Sequence, residues 1–155
     1  MTSETSETDA SKGQVDFYLL ADATLSADHL ACRLSMMAWE RRQQVFIVAT
    51  GTQHLTALDE LMWQSPPGRF LPHAQLNDPN AGKAPVRMGL GSDLDSVKDK
   101  ATVVINLCAE AISQATQFSR ILEVVPYAKE QRDASRAKYK TYLQLGIKPR
   151  THEIS

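Results

Sequence analysis

The chain has 155 residues, 43% of them hydrophobic and 23% charged, with 17 Lys/Arg against 18 Asp/Glu and a formal net charge of -1. That length and balance predict one globular domain able to bury roughly two thirds of its unfolded surface. They exclude the strongly basic make-up of a wholesale nucleic-acid binder. No apolar run approaches the roughly 18 residues that span a bilayer, so the expected setting is soluble and cytoplasmic.

Residues 1–14 contain no large apolar side chain after Met1 and read as a disordered acidic tail. The domain is expected to run from 15 to 148, with 149–155 as a C-terminal tail. Val15-Asp-Phe-Tyr-Leu-Leu20 is β-branched and aromatic and predicts a strand. From Ser26 to Arg42, Leu30, Leu34, Met37 and Ala38 recur at helical spacing, with Ser26 placed to cap and Arg41-Arg42 favourable at the C-terminal dipole. Val45-Phe-Ile-Val-Ala49 predicts a strand covered on both faces. Gly51-Thr52 leads into a helix with Leu55, Leu58, Leu61 and Met62 on its apolar side, ended by Ser65-Pro-Pro-Gly68.

Residues 69–91 are rich in Pro, Gly and Asn and leave room only for short strands at Phe70-Leu71 and Val86–Leu90. Thr102–Leu107 predicts a strand, Ala111–Arg120 a helix, and Ile121–Val125 the last strand, closed by Pro126. A final helix runs from Ala128 to Leu145 and stops at Gly146, with Pro149 beyond. The alternation of strand and helix implies right-handed crossovers and a three-layer α/β/α fold on a mainly parallel central sheet, Rossmann-like in order.

The phosphate motifs of that fold are missing. Gly82-Lys83 would need a glycine at position 77, which is Asn77, and Ser or Thr at position 84, which is Ala84. Gly89-Leu90-Gly91 would need a third glycine at Leu94 and opens a polar loop instead of a helix. His29, His54, His73 and His152 stand apart without a second ligand at metal-binding spacing, and neither GxSxG nor HExxH occurs. Asp59 and Glu60 point about 100° apart on a helix and read as an exposed flank. Cys32 and Cys108, far apart with no CxxC, read as reduced core thiols. The expectation is no catalytic residue, no metal and no cofactor. A Rossmann-like nucleotide-binding domain or small enzyme is the alternative that element order alone permits.

The pattern that remains is basic. Lys129, Arg132, Arg136 and Lys140 recur at spacings of three, four and four and share one face of the last helix, with Tyr139 beside them. From Ala128 onward there are seven Lys/Arg against three acids in a chain that is otherwise acidic. Such a stripe is either a solvated face or a surface for an acidic partner. Trp63 and Phe70 flank the Pro-Pro-Gly loop and either form an exposed apolar patch or tuck into the domain.

Taken in order, Phe17-Tyr-Leu-Leu20, Leu58-Asp-Glu-Leu-Met-Trp63, Phe70-Leu-Pro-His73, Gly82-Lys-Ala-Pro-Val86, Val125-Pro-Tyr127 and Arg136-Ala-Lys-Tyr-Lys-Thr-Tyr142 resemble the chi-subunit family of the bacterial DNA polymerase III holoenzyme, from about residue 15 to 148. The resemblance implies a non-enzymatic accessory subunit of the clamp-loader assembly. Its partners would be the acidic C-terminal tail of single-stranded DNA-binding protein and the psi subunit, or a helicase at the psi surface, with DNA reached only indirectly. By the same resemblance Arg132, Arg136, Tyr139 and Lys140 form the tail site with Val125 lining its pocket, and Trp63 and Phe70 match the psi surface. Lys129 and Lys138 are either outlying members of that site or solvated.

Overall fold

The computed structural model describes residues 13–24, 26–64, 71–79 and 81–154. Seven strands form one sheet: β1 (Gln14–Leu20), β2 (Val45–Ala49), β3 (His73–Gln75), β4 (Val86–Leu90), β5 (Val103–Asn106), β6 (Arg120–Val125) and β7 (Arg150–Ile154), in the order β3-β4-β2-β5-β6-β1-β7. Every neighbouring pair is parallel. Helices α1 (Ala27–Glu40) and α2 (Thr52–Gln64) cover one face, and the short α3 (Leu94–Val97) with α4 (Lys129–Gln144) covers the other. This is the three-layer α/β arrangement that the alternation of elements demands, because parallel strands must be joined by crossovers that bury both faces of the sheet.

The local rules account for most boundaries. Ser26 accepts a hydrogen bond from the His29 N–H at 3.3 Å and caps α1, while His54 Nδ1 accepts the Thr50 N–H at 3.0 Å at the start of α2. α4 ends where Gly146 takes φ +84°, and the Ile147 N–H returns to the Tyr142 carbonyl. β2 is buried at all five positions and sits between β4 and β5, as its unbroken apolar run requires. Gly89 has a packing reason: a Cβ there would lie 2.9 Å from the Phe46 ring and 2.8 Å from Asp93.

Four expectations need correction. The segment after Pro149 is not a tail but β7, added parallel to β1 at the sheet edge, so Ile121–Val125 is not the last strand. Residues 111–120 form no α-helix; Ile112, Ala115 and Phe118 are buried at a spacing of three around a single 3₁₀ turn, Ala115–Gln117. The residues after Gly91 make a 3₁₀ turn and then α3, not an open loop. Of the short strand expected at Phe70-Leu71, Leu71 lies outside any strand, and the described strand of this region is His73–Gln75. Phe70, the Ser65–Gly68 stop signal and residues 1–12 fall outside the described residues. Cys32 is buried, with its thiol pushed up to about 12 by desolvation and then by Asp28. Cys108 is only half-buried, its thiol donating to the Ala49 carbonyl at 3.0 Å.

Beneath α4 lies a polar cluster inside the apolar core. Glu123 on β6 is fully buried. Its Oε1 accepts from Lys138 Nζ at 2.8 Å, and its Oε2 accepts from the Tyr142 hydroxyl and from Asn106 Nδ2 at 2.9 Å. Lys138 Nζ also donates to the Cys108 carbonyl, and the Tyr142 oxygen accepts the Ile112 N–H at 2.9 Å. Burial pushes the Glu123 carboxyl above its usual range, and Lys138 opposes that shift.

Replacing Lys138 by Met strands the carboxylate, and we expect a loss of about 3–5 kcal/mol in urea unfolding. Because the folded-state pKa of Glu123 then stands well above its unfolded value, the variant gains stability as pH falls from 8 toward 5. A variant as stable as the parent at pH 8 contradicts this account of the cluster.

Candidate interaction surface on the last helix

α4 leaves the carboxyl edge of the sheet at Tyr127 and runs back over β6 and β1. Its inner face is set by Lys138 and Tyr142, four residues apart, which point to Glu123. The outer face therefore carries Lys129, Arg136 and Lys140, all exposed, with Arg132 half-buried at its side. A groove of about 420 Å³ opens along the first two turns, lined by Tyr127, Ala128, Lys129, Arg132, Asp133 and Arg136.

Each predicted residue has a definite place. Arg132 does structural work as well as facing the groove: Nε donates to the Tyr127 carbonyl at 3.0 Å, Nη2 to the Leu20 carbonyl at 3.0 Å, and the guanidinium lies 5.0 Å from the Tyr127 ring centroid. It thus fastens the start of α4 to the end of β1 and orients an aromatic wall. Arg136 is 77% exposed and pairs with Asp133 at 2.7 Å. Lys129, 89% exposed, pairs with the same carboxylate at 3.0 Å. Lys140 is exposed and makes no hydrogen bond or ion pair among the described residues.

Two positions differ from expectation. Val125 is 2% exposed and packs in the core beneath α4, so it does not line this groove. Tyr139 is half-buried against the same core, 5.9 Å from the Phe17 ring centroid, and borders the stripe without standing free in it. Lys138, read as an outlying site member or as solvated, is buried on the opposite side of the helix. The signal was present: it lies two residues from both Arg136 and Lys140, about 200° round the helix, and four from Tyr142. Asp133 pairs with both Lys129 and Arg136 and was not singled out from the sequence, although its spacings to them are those of helical ion pairs.

A second exposed feature lies on the other face. Trp63, at the end of α2, is 62% exposed, and its ring meets His73 edge-on at 4.9 Å between centroids. His73 is held by the Leu71 carbonyl at 2.6 Å and lies 3.3 Å from Asp59. Trp63 is thus displayed on a fixed support, which settles its exposure; its proposed companion Phe70 lies outside the described residues.

The family model for the DNA polymerase III chi subunit, HolC, matches residues 13–150. The chain belongs to the DNA polymerase III chi-subunit family. The chi subunit of Pseudomonas aeruginosa is 32% identical over 142 residues, covering 91% of this chain and 96% of the relative. That of Escherichia coli is 26% identical over 136 residues, covering 84% and 91%. Among solved structures, the Pyrococcus furiosus Hef helicase domain superposes with a TM-score of 0.50 at 12% identity, over 96% of this chain and 37% of that one. At that identity the likeness concerns the fold alone. The resemblance drawn from the short segments is therefore sound at the level of family.

The two arginines of the stripe should differ in stability. Arg132→Ala removes two charge-assisted bonds to backbone carbonyls and is expected to cost about 1–2 kcal/mol in chemical denaturation, whereas Arg136→Ala removes a surface pair and should cost less than about 0.5 kcal/mol. Equal losses would mean that Arg132 does not anchor α4.

Proposed function

We propose that this chi-family chain is a non-catalytic adaptor of the replisome, linking the DNA polymerase III clamp-loader complex to single-stranded DNA-binding protein by holding that protein's acidic C-terminal tail on α4. The observation that carries the reading is the alignment of Lys129, Arg132 and Arg136 along a groove walled by Tyr127, with Lys140 exposed one turn further along the same helix face. A peptide with several carboxylates and a terminal aromatic needs cations at helical intervals beside an apolar wall, and arginine can take a carboxylate through two parallel bonds. The tail's carboxylates enter in competition with Asp133, which already pairs with Lys129 and Arg136 and leaves the three groups with one net positive charge. That competition, and the exposure of the cations, favours modest affinity. In this reading α4 touches protein and not DNA, and the setting is the cytoplasm.

The second partner surface is centred on Trp63. A tryptophan 62% exposed on a supported helix end fits an anchor for a partner protein, which we assign to the psi subunit or a helicase using the same surface. The nucleotide-binding alternative gains nothing from the site. The first β–α turn, residues 21–26, contains no glycine, and a cleft of about 360 Å³ at the carboxyl ends of β2, β4 and β5 lacks the phosphate motifs noted above.

Fluorescence anisotropy with a labelled peptide of the C-terminal residues of the same organism's single-stranded DNA-binding protein tests the first assignment. The dissociation constant should be roughly micromolar, should weaken several-fold between about 50 and 300 mM salt, and should be lost in Arg136→Glu. Binding that ignores salt or survives Arg136→Glu refutes the site. For the second surface, Trp63→Ala should abolish co-purification with the psi subunit or the helicase while leaving peptide binding intact. Unchanged co-purification with both would remove Trp63 from the interface.

A further inference from the structure

An all-parallel sheet gathers every strand entrance at one rim and every exit at the other, and here the two rims differ in charge. Residues 40–44, 98–102, 118–120 and 146–150, which lead into β2, β5, β6 and β7, carry seven Lys/Arg against two acids, Glu40 and Asp99. Residues 21–26, 50–53, 91–95, 107–112 and 126–128, which leave β1, β2, β4, β5 and β6, carry four acids and no Lys or Arg, so that the cations at that rim belong to α4, from Lys129 onward, and not to the exit loops. The basic rim is continuous. The Thr102 N–H donates to the Gln44 carbonyl at 2.8 Å, the Arg120 N–H donates to the Thr102 carbonyl at 3.2 Å, Gln14 pairs with Arg120, and Asp16 pairs with Arg150. Five strand entrances at the usual spacing make a strip about 19 Å across.

At one side of this strip the cations are built in, not merely solvated. Asp16 is fully buried and accepts from Arg120 Nε at 3.0 Å, Arg150 Nε at 3.0 Å, His152 Nε2 at 2.9 Å and Gln14 Nε2 at 3.1 Å. One carboxylate therefore fixes two guanidinium groups and leaves a net positive charge, with neither Nη1 engaged among the described residues. Arg120 also donates to the Tyr18 hydroxyl at 3.3 Å. Beside it a hollow of about 210 Å³ is walled by Tyr18, Met37, Arg41 and Arg120 over a floor of Val103 and Leu122. Two fixed or helix-terminal arginines at the mouth of an apolar hollow with an aromatic wall match a phosphodiester strand that can splay a base out of its stack. A duplex, whose bases are paired, has no group to offer the hollow.

We propose that this rim, centred on Arg41, Lys100, Arg120 and Arg150, is a direct contact surface for single-stranded nucleic acid, distinct from the α4 groove that opens beside Tyr127 at the opposite rim. It goes beyond the adaptor role above, in which DNA is met only through another protein. Held near coated single-stranded DNA by its tail contact, the chain would touch the phosphates of an uncovered stretch with its entrance rim. Preorganisation by Asp16 lowers the ordering cost of such a contact, and the small number of phosphates keeps it weak.

The test is anisotropy of a labelled oligothymidine of about 15 nucleotides, titrated with the full chain at low salt. Three or four phosphate contacts predict binding whose logarithm falls with the logarithm of salt at a slope of about -2 to -3. Arg41→Glu and Lys100→Glu, neither of which touches Asp16, should each weaken binding about fivefold or more, with the thermal melt checking the fold. Arg136→Glu should bind the oligonucleotide as the parent does, and the acidic tail peptide should not displace it. Failure to bind at low salt, parental binding by both rim variants, loss in Arg136→Glu, displacement by the peptide, or equal affinity for a duplex of the same length would each overturn the proposal. Because the oligonucleotide assay uses no tail peptide in its main arm, its result stands apart from that of the tail-binding test.

Discussion

The rotation of α4 about its own axis is the constraint on which the surface of this protein depends, and it is set by a buried ionic cluster. Lys138 and Tyr142 converge on Glu123, which Asn106 also holds. A helix packed only through apolar contacts can slip or roll at small cost, whereas rolling this one leaves a carboxylate and an ammonium unpaired in the core, at a cost of several kcal/mol. With the inner face fixed, geometry dictates that Arg136 and Lys140 point outward and that Arg132 reaches the end of β1. The cationic stripe is thus the outer consequence of an inner pairing.

The same sheet supports two different charged surfaces for a topological reason. Crossovers in a parallel sheet all rise from one rim and descend to the other, so a charge bias in the entrance loops is not averaged away by exit loops. The near-neutral net charge hides this separation. On α4, Asp133 pairs with Lys129 and Arg136; on the entrance rim, buried Asp16 orients Arg120 and Arg150. Trp63 lies on the face opposite α4, beside His73 at the start of β3.

Much of the fold was written in local pattern. The apolar runs of β1, β2, β4 and β6 and the heptad-like spacings of α1 and α2 announced themselves because their burial is two-sided or one-sided in the simplest way. β7 was hidden because Arg150-Thr-His-Glu-Ile154 is a largely exposed edge strand whose pairing depends on Asp16, more than a hundred residues away. The false helix at 111–120 arose because a spacing of three fits a 3₁₀ turn as well as a helix. In the candidate site, the stripe was legible from spacing, but its partition was not. Lys138 looked like another solvated lysine until Glu123 was placed beneath it, and Val125 belongs to the core because the strand carrying it runs under α4. The family resemblance supplied the grouping of Arg132, Arg136, Tyr139 and Lys140; the structure adds that Arg132 anchors the start of α4, that Tyr139 borders the stripe and that Asp133 pairs with Lys129 and Arg136.

The most direct measurement of the central claim is an NMR titration of isotope-labelled protein with the single-stranded DNA-binding protein tail peptide, following backbone amides and arginine Nε–H signals together. The account predicts shifts concentrated on Tyr127 to Lys140, with the Arg136 and Arg132 guanidinium signals moving and the Trp63 indole unmoved. Shifts confined to the Trp63 side or to the entrance rim, with α4 silent, would contradict it.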